Sequence, residues 1–405
     1  MTKKTLKDVD LKGRKLLMRV DFNVPLSKDG FVADDTRIKA ALPSIDYAAR
    51  KGASVVLLSH LGRPKGKIDP ASSLKVVAHH LAELTNYPVK FIDDCVGAKV
   101  ESKVASLNPG EILLLENVRF YPEETENSPE FSEQLSRIGD LYANDAFGTA
   151  HRSHSSTEGV TRYFGEKVAG FLMEKELDIL GGLLDKPQRP FVAILGGAKV
   201  STKIGVVRNL LERVDRILIG GGMAFTFFKA AGLDIGNSLV DDEFVPLCRE
   251  LMETSSREGT KRIFLPVDII VAENMDNDAA HRQVSVGDIP EDWLGVDIGV
   301  KTLDLFAKEL ENARTIFWNG PMGVFEMPNF AEGTKRIARM VADATERGAS
   351  TIIGGGDSVA AVNSMNLTDK VTHISTGGGA ALEYLEGREL PGVAVLSDRD
   401  VSMRV

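Results

Sequence analysis

The sequence predicts an α/β fold in which doubly wound parallel β-sheets are flanked by helices. Apolar runs typical of strands buried on both faces recur along the chain, at 15–21, 54–60, 111–117, 191–195, 262–267 and 314–319. Amphipathic helical patterns lie between them, at 36–52, 73–86, 202–214 and 330–348. Strands that alternate with helices favour right-handed βαβ crossovers, which bring parallel strands together in one sheet.

The length of the chain and one proline-rich segment indicate two domains. A chain of 405 residues exceeds the size at which a single core keeps growing. A long helical pattern at 170–186 is followed by PQRP at 187–190, where two prolines end the helix before a new buried strand. We therefore expect an N-terminal domain over 1–170 and a second domain from 171, with this helix as a hinge between two lobes.

Composition argues against several classes of function. Hydrophobic residues make up 43% of the chain and charged residues 26%, as in ordinary soluble globular proteins. No apolar run approaches the ~20 residues of a membrane span, and the N-terminus lacks the apolar region of a signal peptide. The net charge of −9 argues against general nucleic-acid binding. Cys95 and Cys248 are far apart and are expected to be structural thiols in a reducing cytoplasm.

The charge is divided unevenly between the two halves. Residues 1–170 carry 24 Lys and Arg against 23 Asp and Glu, whereas residues 171–405 carry 25 against 35. The acidic second half must gather its cations locally, or recruit a metal, to hold a polyphosphate. The nearly neutral first half can offer arginines to a smaller anion.

Three glycine triplets in the second half indicate a nucleotide site. They lie at 220–222, 354–356 and 377–379, each after an apolar run, and the last two lead directly into helical patterns. Glycine at a strand-to-helix turn lets backbone amides approach a ligand closely, and the helix N-terminus adds positive potential. Phosphates are the natural ligands of such turns.

In the first half, polar and basic residues follow the predicted strands. Ligands of open α/β sheets bind outside the carboxyl ends of the strands, and arginine offers a planar fork that matches phosphate or carboxylate oxygens. We expect a pocket for a small molecule with two anionic ends, although each arginine could instead pair with a nearby acid. The candidates are Asp21, Asn23, Arg37, His60, Arg63, Arg119, His151, Arg152 and His154.

Four polar residues of the second half are candidates for contacts with a nucleotide. Lys199 and Lys203 would share one helix face if a helix begins near 198, and could span adjacent phosphates or be plain surface lysines. Asp357 could hold Mg²⁺ beside phosphates or cap its own helix. Glu326, in the turn-rich segment 319–326, could reach a ribose hydroxyl or be solvated.

Several common motifs are absent. The chain contains no GxxxxGK[ST] phosphate loop, no GxGxxG dinucleotide motif and no protein-kinase HRD and DFG set. The acidic stretch EETEN at 123–127 lies between prolines and is expected to be a solvated loop.

Ten segments in order resemble the phosphoglycerate kinase family, of the bacterial type, over essentially the whole chain. They are RVDFNVP, SHLGRP, ENVRF, DAFGTAHRSHSS, LGGAKVSTKI, GGGMAFTF, WLGVDIG, WNGPMGVFE, GGGDS and STGGGAALEYLEG. The resemblance implies two Rossmann-like lobes, a nucleotide-binding domain over 171–385, and a segment at 386–405 that packs back on the first domain. It also implies a monomeric cytoplasmic enzyme of glycolysis and gluconeogenesis.

The resemblance implies reversible transfer of a phosphoryl group from 1,3-bisphosphoglycerate to Mg²⁺-bound ADP, giving 3-phosphoglycerate and ATP. Glycerate and its 3-phosphate are expected at Asp21, Asn23, His60, Arg63, Arg119 and Arg152, and the carboxyl end at Arg37. The transferred group is expected at Lys199, Gly378 and Gly379, and Mg²⁺ at Asp357. Adenosine is expected at Gly221, Gly295, Asn319 and Glu326, and the nucleotide phosphates at Lys203, Gly355, Gly356 and Ser358. The family usually has Thr at the last position, and Ser358 keeps its hydroxyl.

A carboxylate acceptor is already ionised near pH 7, so such a transfer needs alignment and charge stabilisation rather than a general base. Lobe closure to exclude water is a further hypothesis. Two other functions remain open: a dehydrogenase on a doubly wound fold, which the missing GxGxxG disfavours, and a two-lobed binding protein without chemistry.

Overall fold

The computed structural model describes residues 3–256 and 261–399, and the chain divides into two units. The first unit comprises residues 1–181 with 389–405, and the second comprises 182–388. The predicted boundary helix is observed as Phe171–Asp185, and the division between the units falls inside it, after Gly181. Residues 400–405 of the predicted C-terminal segment lie outside the described residues.

The first unit contains one six-stranded sheet and the helices that flank it. Its strands are β1 (Lys15–Arg19), β2 (Ser54–Leu58), β3 (Val89–Phe91), β4 (Ile112–Leu114), β5 (Leu141–Asn144) and β6 (Lys167–Ala169). Its helices are α1 (Thr36–Arg50), α2 (Lys75–Leu84), α3 (Ala98–Ala105), α4 (Pro122–Glu126), α5 (Pro129–Ser136) and the first part of α6 (Phe171–Asp185). The strand order is β3-β4-β2-β1-β5-β6, and every pair is parallel.

The second unit repeats this arrangement and adds a small antiparallel sheet. Its strands are β7 (Phe191–Leu195), β8 (Arg216–Ile219), β9 (Ile263–Phe264), β10 (Asp268–Ala272), β11 (His281–Ser285), β12 (Leu294–Ile298), β13 (Thr315–Asn319), β14 (Ser350–Gly354) and β15 (His373–Ile374). Its helices are α7 (Ile204–Leu211), α8 (Met223–Ala230), α9 (Val245–Ser255), α10 (Val300–Leu310), α11 (Glu332–Glu346), α12 (Gly356–Ser364) and α13 (Gly379–Leu385). The parallel sheet has the order β15-β14-β13-β7-β8-β9, and the antiparallel sheet the order β11-β10-β12.

Two parallel sheets flanked by helices confirm the predicted fold class. The strands β2, β7 and β13 are buried along their whole length, as continuous apolar runs require in a sheet covered on both faces. Helix α1 buries Ile38, Ala41, Ile45 and Ala48 at helical spacing. Because all strands of each large sheet are parallel, their carboxyl ends meet at one edge, where the candidate site residues follow.

The C-terminal segment forms the short helix α14 (Pro391–Ala394) and belongs to the first unit. The backbone N–H of Gly392 donates to the carbonyl of Ala150, and Asn144 Nδ2 donates to the carbonyl of Gly392. The ammonium group of Lys3 donates to the carbonyl of Leu396 at 3.0 Å. Residues near both chain ends therefore pack within the same unit.

The acidic stretch at 123–127 is not the solvated loop that its composition predicts. It lies largely in α4, where Pro122 takes the first helical position, and Glu124 is completely buried. The carboxylate of Glu124 accepts hydrogen bonds from the backbone N–H and the hydroxyl of Ser156. A tertiary partner more than thirty residues away in sequence decides this burial, which a local reading of composition does not detect.

Candidate active site

Asp21 lies at the centre of the polar cluster that follows β1 and β2. It is 7% exposed, and its carboxylate accepts a hydrogen bond from the guanidinium of Arg37, the second residue of α1. Its Oδ1 accepts the backbone N–H of Asn23 at 3.2 Å and lies 3.9 Å from Nδ1 of His60. The structure thus brings together four residues that the sequence predicts as neighbours. Arg37 has an acidic partner, as the alternative interpretation of the arginines expects for each of them.

Three of the predicted arginines line a single cavity of about 500 Å³. Arg63, Arg119 and Arg152 surround it together with Lys65 and His154. Residues from three separate loops that follow strand ends therefore meet around one space.

The loop after β2 is held from two sides at Gly62. Its backbone N–H donates to Oδ1 of Asn23 at 2.8 Å, and its carbonyl accepts Nη1 of Arg119 at 2.8 Å. Arg119 itself lies in a short 3₁₀ turn, and its backbone N–H donates to the side chain of Asn117 at 3.0 Å. The predicted polar residues therefore fix one another's loops before any ligand enters.

Positive charge accumulates at this cavity. Burial, followed by the charges of Arg19 and Arg152, lowers the pKa of Arg119 to about 10. Burial and the surrounding guanidinium groups lower the pKa of His60 well below its usual value and that of His154 to about 4. An anionic ligand would relieve this repulsion, because it favours the charged form of every neighbouring cation.

A second cavity, of about 280 Å³, lies in the second unit. Its walls include four predicted nucleotide residues, Gly221, Gly295, Glu326 and Asp357. The remaining lining is largely apolar and includes Phe225, Leu239, Met275, Leu294, Pro321 and Met322. A mostly apolar cavity with a few polar groups is typical of a small-molecule or cofactor site.

Two of these glycines are required by close packing. Gly221 has φ +66°, and a Cβ there would lie 2.6 Å from the backbone nitrogen of Gly197. A Cβ on Gly295 would lie 2.0 Å from Cζ of Phe225, whose ring is buried. Any side chain at either position would displace the wall of the cavity.

Lys203 and Asn319 lie beside the turn after β13. Lys203 is 8% exposed, and its ammonium group donates to the carbonyls of Gly196 and Asn319 at 2.6 and 3.0 Å. Burial lowers the pKa of Lys203 to about 8, against the opposing effect of Asp357. Within the described residues, Nδ2 of Asn319 is buried without a hydrogen-bond partner, and a Cβ on Gly355 would lie 3.0 Å from it. An unpaired buried donor beside a glycine turn is suited to a ligand oxygen.

The triplet at 354–356 turns β14 into α12. Gly355 has φ +86° and caps the helix, while Gly356 and Asp357 are exposed in the first turn. The hydroxyl of Ser358 is buried and accepts the backbone N–H of Gly320 at 2.5 Å. The triplet at 377–379 similarly leads into α13, and Gly378 has φ +50°. Gly378, Gly379 and Lys199 are not among the residues that line the second cavity.

The prediction that Lys199 and Lys203 share one helix face is wrong, because no α-helix begins near residue 198. Lys199 is extended, with φ −124° and ψ 135°, residues 200–202 form a 3₁₀ turn, and α7 begins only at Ile204. Lys199 is exposed and Lys203 is buried. The two glycines at 196–197 prolong the turn after β7 before the helix begins, so spacing alone misjudges the helix start.

Asp357 fits the kind of magnesium site that a nucleotide brings with it. Within residues 3–256 and 261–399 there is no group of three or more His, Cys, Asp or Glu side chains placed to hold a metal. Mg²⁺ bound with nucleotide phosphates needs only one or two carboxylates from the protein, with phosphate oxygens and waters as its other ligands. The exposed carboxylate of Asp357 on the cavity wall meets that requirement.

A family model described as phosphoglycerate kinase matches residues 6–388. The chain belongs to the phosphoglycerate kinase family. A relative called phosphoglycerate kinase, from Chloroherpeton thalassium, is 54% identical over 398 residues, covering 98% of this chain and all of the relative. Another, from Chloroflexus aurantiacus, is 54% identical over 402 residues, covering 99% of this chain and all of the relative.

Solved structures of phosphoglycerate kinases share the fold. That from Coxiella burnetii has a TM-score of 0.86 at 38% identity and covers 98% of this chain and 99% of its own. That from Pyrococcus horikoshii has a TM-score of 0.82 at 35% identity and covers 97% and 98%. Phosphoglycerate kinases are phosphotransferases with a carboxyl group as acceptor. Membership of this family rules out the two alternative functions, a dehydrogenase and a binding protein without chemistry.

Sequence reasoning missed the buried polar layer beneath the arginines and the apolar wall of the second cavity. Arg19, Glu124 and Ser156 form the buried layer. A signal existed for Arg19, since a charged residue inside an otherwise apolar strand needs a buried partner. Leu239 and Met275 come from loops with no distinctive pattern. No helix among the described residues has both the length and the apolar character needed to cross a membrane.

Proposed function

We propose that this chain catalyses reversible, Mg²⁺-dependent phosphoryl transfer from 1,3-bisphosphoglycerate to ADP, giving 3-phosphoglycerate and ATP in glycolysis and gluconeogenesis. The observation that carries the proposal is the cavity lined by Arg63, Arg119 and Arg152, in which burial and the like charges of neighbouring arginines lower the pKa of Arg119. Such a site is stabilised by a small dianion. The family assignment supplies the reaction class.

In the first unit, the three arginines would bind the 3-phosphate through their forked N–H groups. His60, Asp21 and Asn23 would orient the glycerate. The Arg37 guanidinium, now paired with Asp21, would face the carboxyl oxygen that carries the transferred group. That placement offsets charge where it develops during transfer.

In the second unit, the glycine-lined cavity would hold adenosine. Gly221, Gly295, Asn319 and Glu326 would contact adenosine, with Glu326 at a ribose hydroxyl. The nucleotide phosphates would meet Lys203, Ser358 and the amides of Gly355 and Gly356. Lys199, Gly378 and Gly379 would meet the transferred group.

Asp357 would hold Mg²⁺ together with the nucleotide phosphates. When bound, the metal supplies positive charge that offsets the charge of the phosphate oxygens. The protein's own cations supply the rest.

In the direction of ATP synthesis, the bond between phosphorus and the C1 carboxylate oxygen breaks, and a bond from phosphorus to a β-phosphate oxygen of ADP forms. The leaving carboxylate and the attacking phosphate oxygen are both ionised near neutral pH, so no side chain has to move a proton. We propose direct in-line transfer, in which the protein aligns the two ligands and excludes water. Closure of the two lobes about α6 would do both. Small-angle scattering that is unchanged by both substrates together would contradict the closure.

A coupled assay tests the function. Formation of 1,3-bisphosphoglycerate from 3-phosphoglycerate and ATP, followed by NADH oxidation, should require Mg²⁺. Arg37→Ala should lower kcat by about 10²–10³, the range for loss of one transition-state donor. Lys39→Ala is the matched control, since Lys39 lies on the same helix, is 58% exposed at its side chain and pairs with Asp35. Normal turnover by Arg37→Ala, or no turnover by the folded wild-type chain, would overturn the proposal.

We further propose that the enzyme acts as a cytoplasmic monomer. The free thiols of Cys95 and Cys248 are both buried, which suits a reducing compartment. Light scattering coupled to size-exclusion chromatography should return the monomer mass of 43.9 kDa, and a larger mass would contradict the monomer.

A further inference from the structure

A connected layer of buried polar side chains lies beneath the arginine-lined cavity. Arg19, the last residue of β1, is 1% exposed, and Glu124 is completely buried. Arg19 Nε donates to the hydroxyl of Ser156 at 2.8 Å, and that hydroxyl donates to Oε1 of Glu124 at 2.7 Å. The backbone N–H of Ser156 donates to Oε2 of the same carboxylate at 2.9 Å. Ser156 thus links the buried guanidinium to the buried carboxyl group, and the hydrogen bonds satisfy polar groups that water cannot reach.

The other end of Arg19 meets His60. Nη2 of Arg19 lies 3.1 Å from Nδ1 of the imidazole, and both side chains are buried. A guanidinium has donors and no acceptor, so Nδ1 must accept this hydrogen bond. Asp21 does not compete for a proton on Nδ1, since its nearest oxygen lies 3.9 Å away. In a neutral imidazole the proton is therefore on Nε2.

The surroundings also keep the imidazole neutral. Burial, followed by the charges of Arg19, Arg119, Arg152 and Arg37, lowers the pKa of His60 well below its usual value. Within the described residues, no hydrogen bond uses Nε2 of His60, so its N–H is an available donor.

We propose that Arg19 is a positioning residue that fixes His60 as its Nε2–H tautomer, and that Ser156 and Glu124 hold Arg19 in place for this purpose. His60 then offers the bound anion a directional hydrogen bond without adding another positive charge beside the arginines. The identity of that anion as 3-phosphoglycerate rests on the proposed function, whereas the tautomer of His60 follows from the contact with Arg19 alone.

The layer also connects the loops of the site. Ser156 ends the segment 145–156, which carries Arg152 and His154, and its carbonyl accepts the hydroxyl of Tyr142 on β5 at 2.8 Å. Arg19 therefore joins the end of β1, the loop after β2 and the loop after β5. Through these bonds, the orientation of His60 is set by residues that have no contact with the ligand.

Nitrogen NMR of the histidine side chains tests the tautomer without substrate or turnover. In the ¹⁵N-labelled wild-type protein at pH 7, the His60 ring should show a protonated Nε2 and an unprotonated Nδ1. His60→Gln assigns the signal by its loss. A ring protonated on Nδ1, or on both nitrogens, would overturn the proposal.

Ser156→Ala tests whether the layer sets the tautomer. It should bring His60 into a mixture of tautomers, because Arg19 loses its link to Glu124. Ser155→Ala is the matched control, since Ser155 is equally buried but bonds to the backbone carbonyl of Glu123 instead. An unchanged His60 ring in Ser156→Ala would show that the layer plays no part.

Two isosteric variants connect the tautomer to binding. The amide nitrogen of Gln can replace Nε2 of histidine, whereas that of Asn replaces Nδ1. His60→Gln should keep the KM for 3-phosphoglycerate within about threefold, and His60→Asn should raise it about tenfold or more, as expected for one lost hydrogen bond to a charged group. The KM for ATP should stay constant in both. The reverse order of the two variants would contradict the proposal, even if NMR confirms the tautomer.

Discussion

The two candidate phosphate sites are built from different parts of the chain. In the first unit, side chains supply the positive charge, and a buried layer of polar groups holds them. In the second unit, glycine backbone and apolar side chains form much of the cavity wall, and Asp297, Glu326 and Asp357 add carboxyl groups to it. The ammonium group of Lys203 lies beside the lining residue Gly197. Arg119 and Gly221 represent the two designs: one carries a forked cation, and the other has no side chain at all.

This difference predicts opposite sensitivities. A site made of side chains is weakened when a side chain is shortened. A site made of close backbone approaches is weakened when one methyl group is added, because neighbouring backbone cannot move aside cheaply. Substitutions of the two kinds should therefore act on different substrates.

Gly221→Ala should have the largest effect on binding among these tests. The new Cβ would lie 2.6 Å from the nitrogen of Gly197 and 2.8 Å from the carbonyl oxygen of Pro321, so the cavity wall must shift. We expect affinity for ATP to fall about 100-fold, with affinity for 3-phosphoglycerate unchanged, from overpacking of about 3 kcal/mol. Isothermal titration with each ligand measures both.

Gly232→Ala separates packing from backbone strain. Gly232 also has positive φ, at +81°, but nothing lies within 4 Å of its added Cβ. It should cost about 1 kcal/mol of stability and leave ATP affinity intact. Equal loss of affinity in both variants would show that backbone strain, rather than close packing, sets the requirement for glycine.

Arg119→Ala tests the side-chain design. We expect the KM for 3-phosphoglycerate to rise about 30-fold, since a hydrogen bond between charged groups contributes about 2 kcal/mol, with ATP affinity unchanged. Arg119→Lys should recover only part of the loss, because an ammonium lacks the fork that also reaches the carbonyl of Gly62. Arg137→Ala, at an exposed arginine paired with Glu133, is the control. Full recovery by lysine would mean that the site requires only a positive charge at position 119, and not the fork of arginine.

Much of both sites could be predicted from sequence because their signals are local. Parallel strands were evident from apolar runs, and whatever follows such a strand must lie at one edge of the sheet. For this reason alone, Asp21, His60 and Arg119 are expected to lie near one another. The glycine triplets after β14 and β15 likewise predict backbone turns that lead into helices, which the structure confirms.

The rest depends on burial by distant segments. Glu124 is acidic and flanked by acids, yet its pairing with Ser156 buries it completely. Lys199 and Lys203 have helical spacing, yet the glycines before them delay the helix to Ile204. Neither the partner of Glu124 nor the later start of α7 can be detected within a short window of sequence.

The first unit should lose stability at acid pH because of a histidine at the arginine-lined cavity. Burial, followed by the charges of Arg119, Arg19 and Arg152, lowers the pKa of His154 to about 4, below the ordinary value near 6.5. As the pH falls below 6.5, the unfolded chain binds a proton at His154 before the folded chain does. The contribution of His154 to stability is therefore complete above pH 6.5 and is lost between pH 6.5 and pH 4. His154→Gln should flatten this loss, by at most about 1 kcal/mol per pH unit after allowance for partial solvent access.

The two units can be followed separately in that experiment. Both tryptophans, Trp293 and Trp318, lie in the second unit, so their fluorescence reports its unfolding alone. Hydrogen exchange of the β1 and β5 amides reports the first unit. Asp145 acts in the opposite sense, since burial raises its pKa to about 6, which is why the comparison is between His154→Gln and wild type. An equal change in both units would contradict a local origin.

Leu239→Ala should have the smallest effect. It measures how much an apolar side chain adds to affinity in a cavity formed largely by glycine backbone. Leu239 lines the second cavity but is 50% exposed, so its shortening should cost little stability. A bound nucleotide would cover the exposed part. We expect ATP affinity to fall about fivefold, for about 1 kcal/mol of lost apolar burial, and affinity for 3-phosphoglycerate to stay constant.

Val300→Ala is the matched control, because Val300 is 53% exposed in the same unit and is not part of the cavity lining. A fivefold loss in Leu239→Ala alone would mean that apolar side chains add modest affinity to a site whose shape is set by backbone. A loss near that of Gly221→Ala would mean instead that side chains dominate both sites. The contrast between the two units would then be one of charge and not of construction.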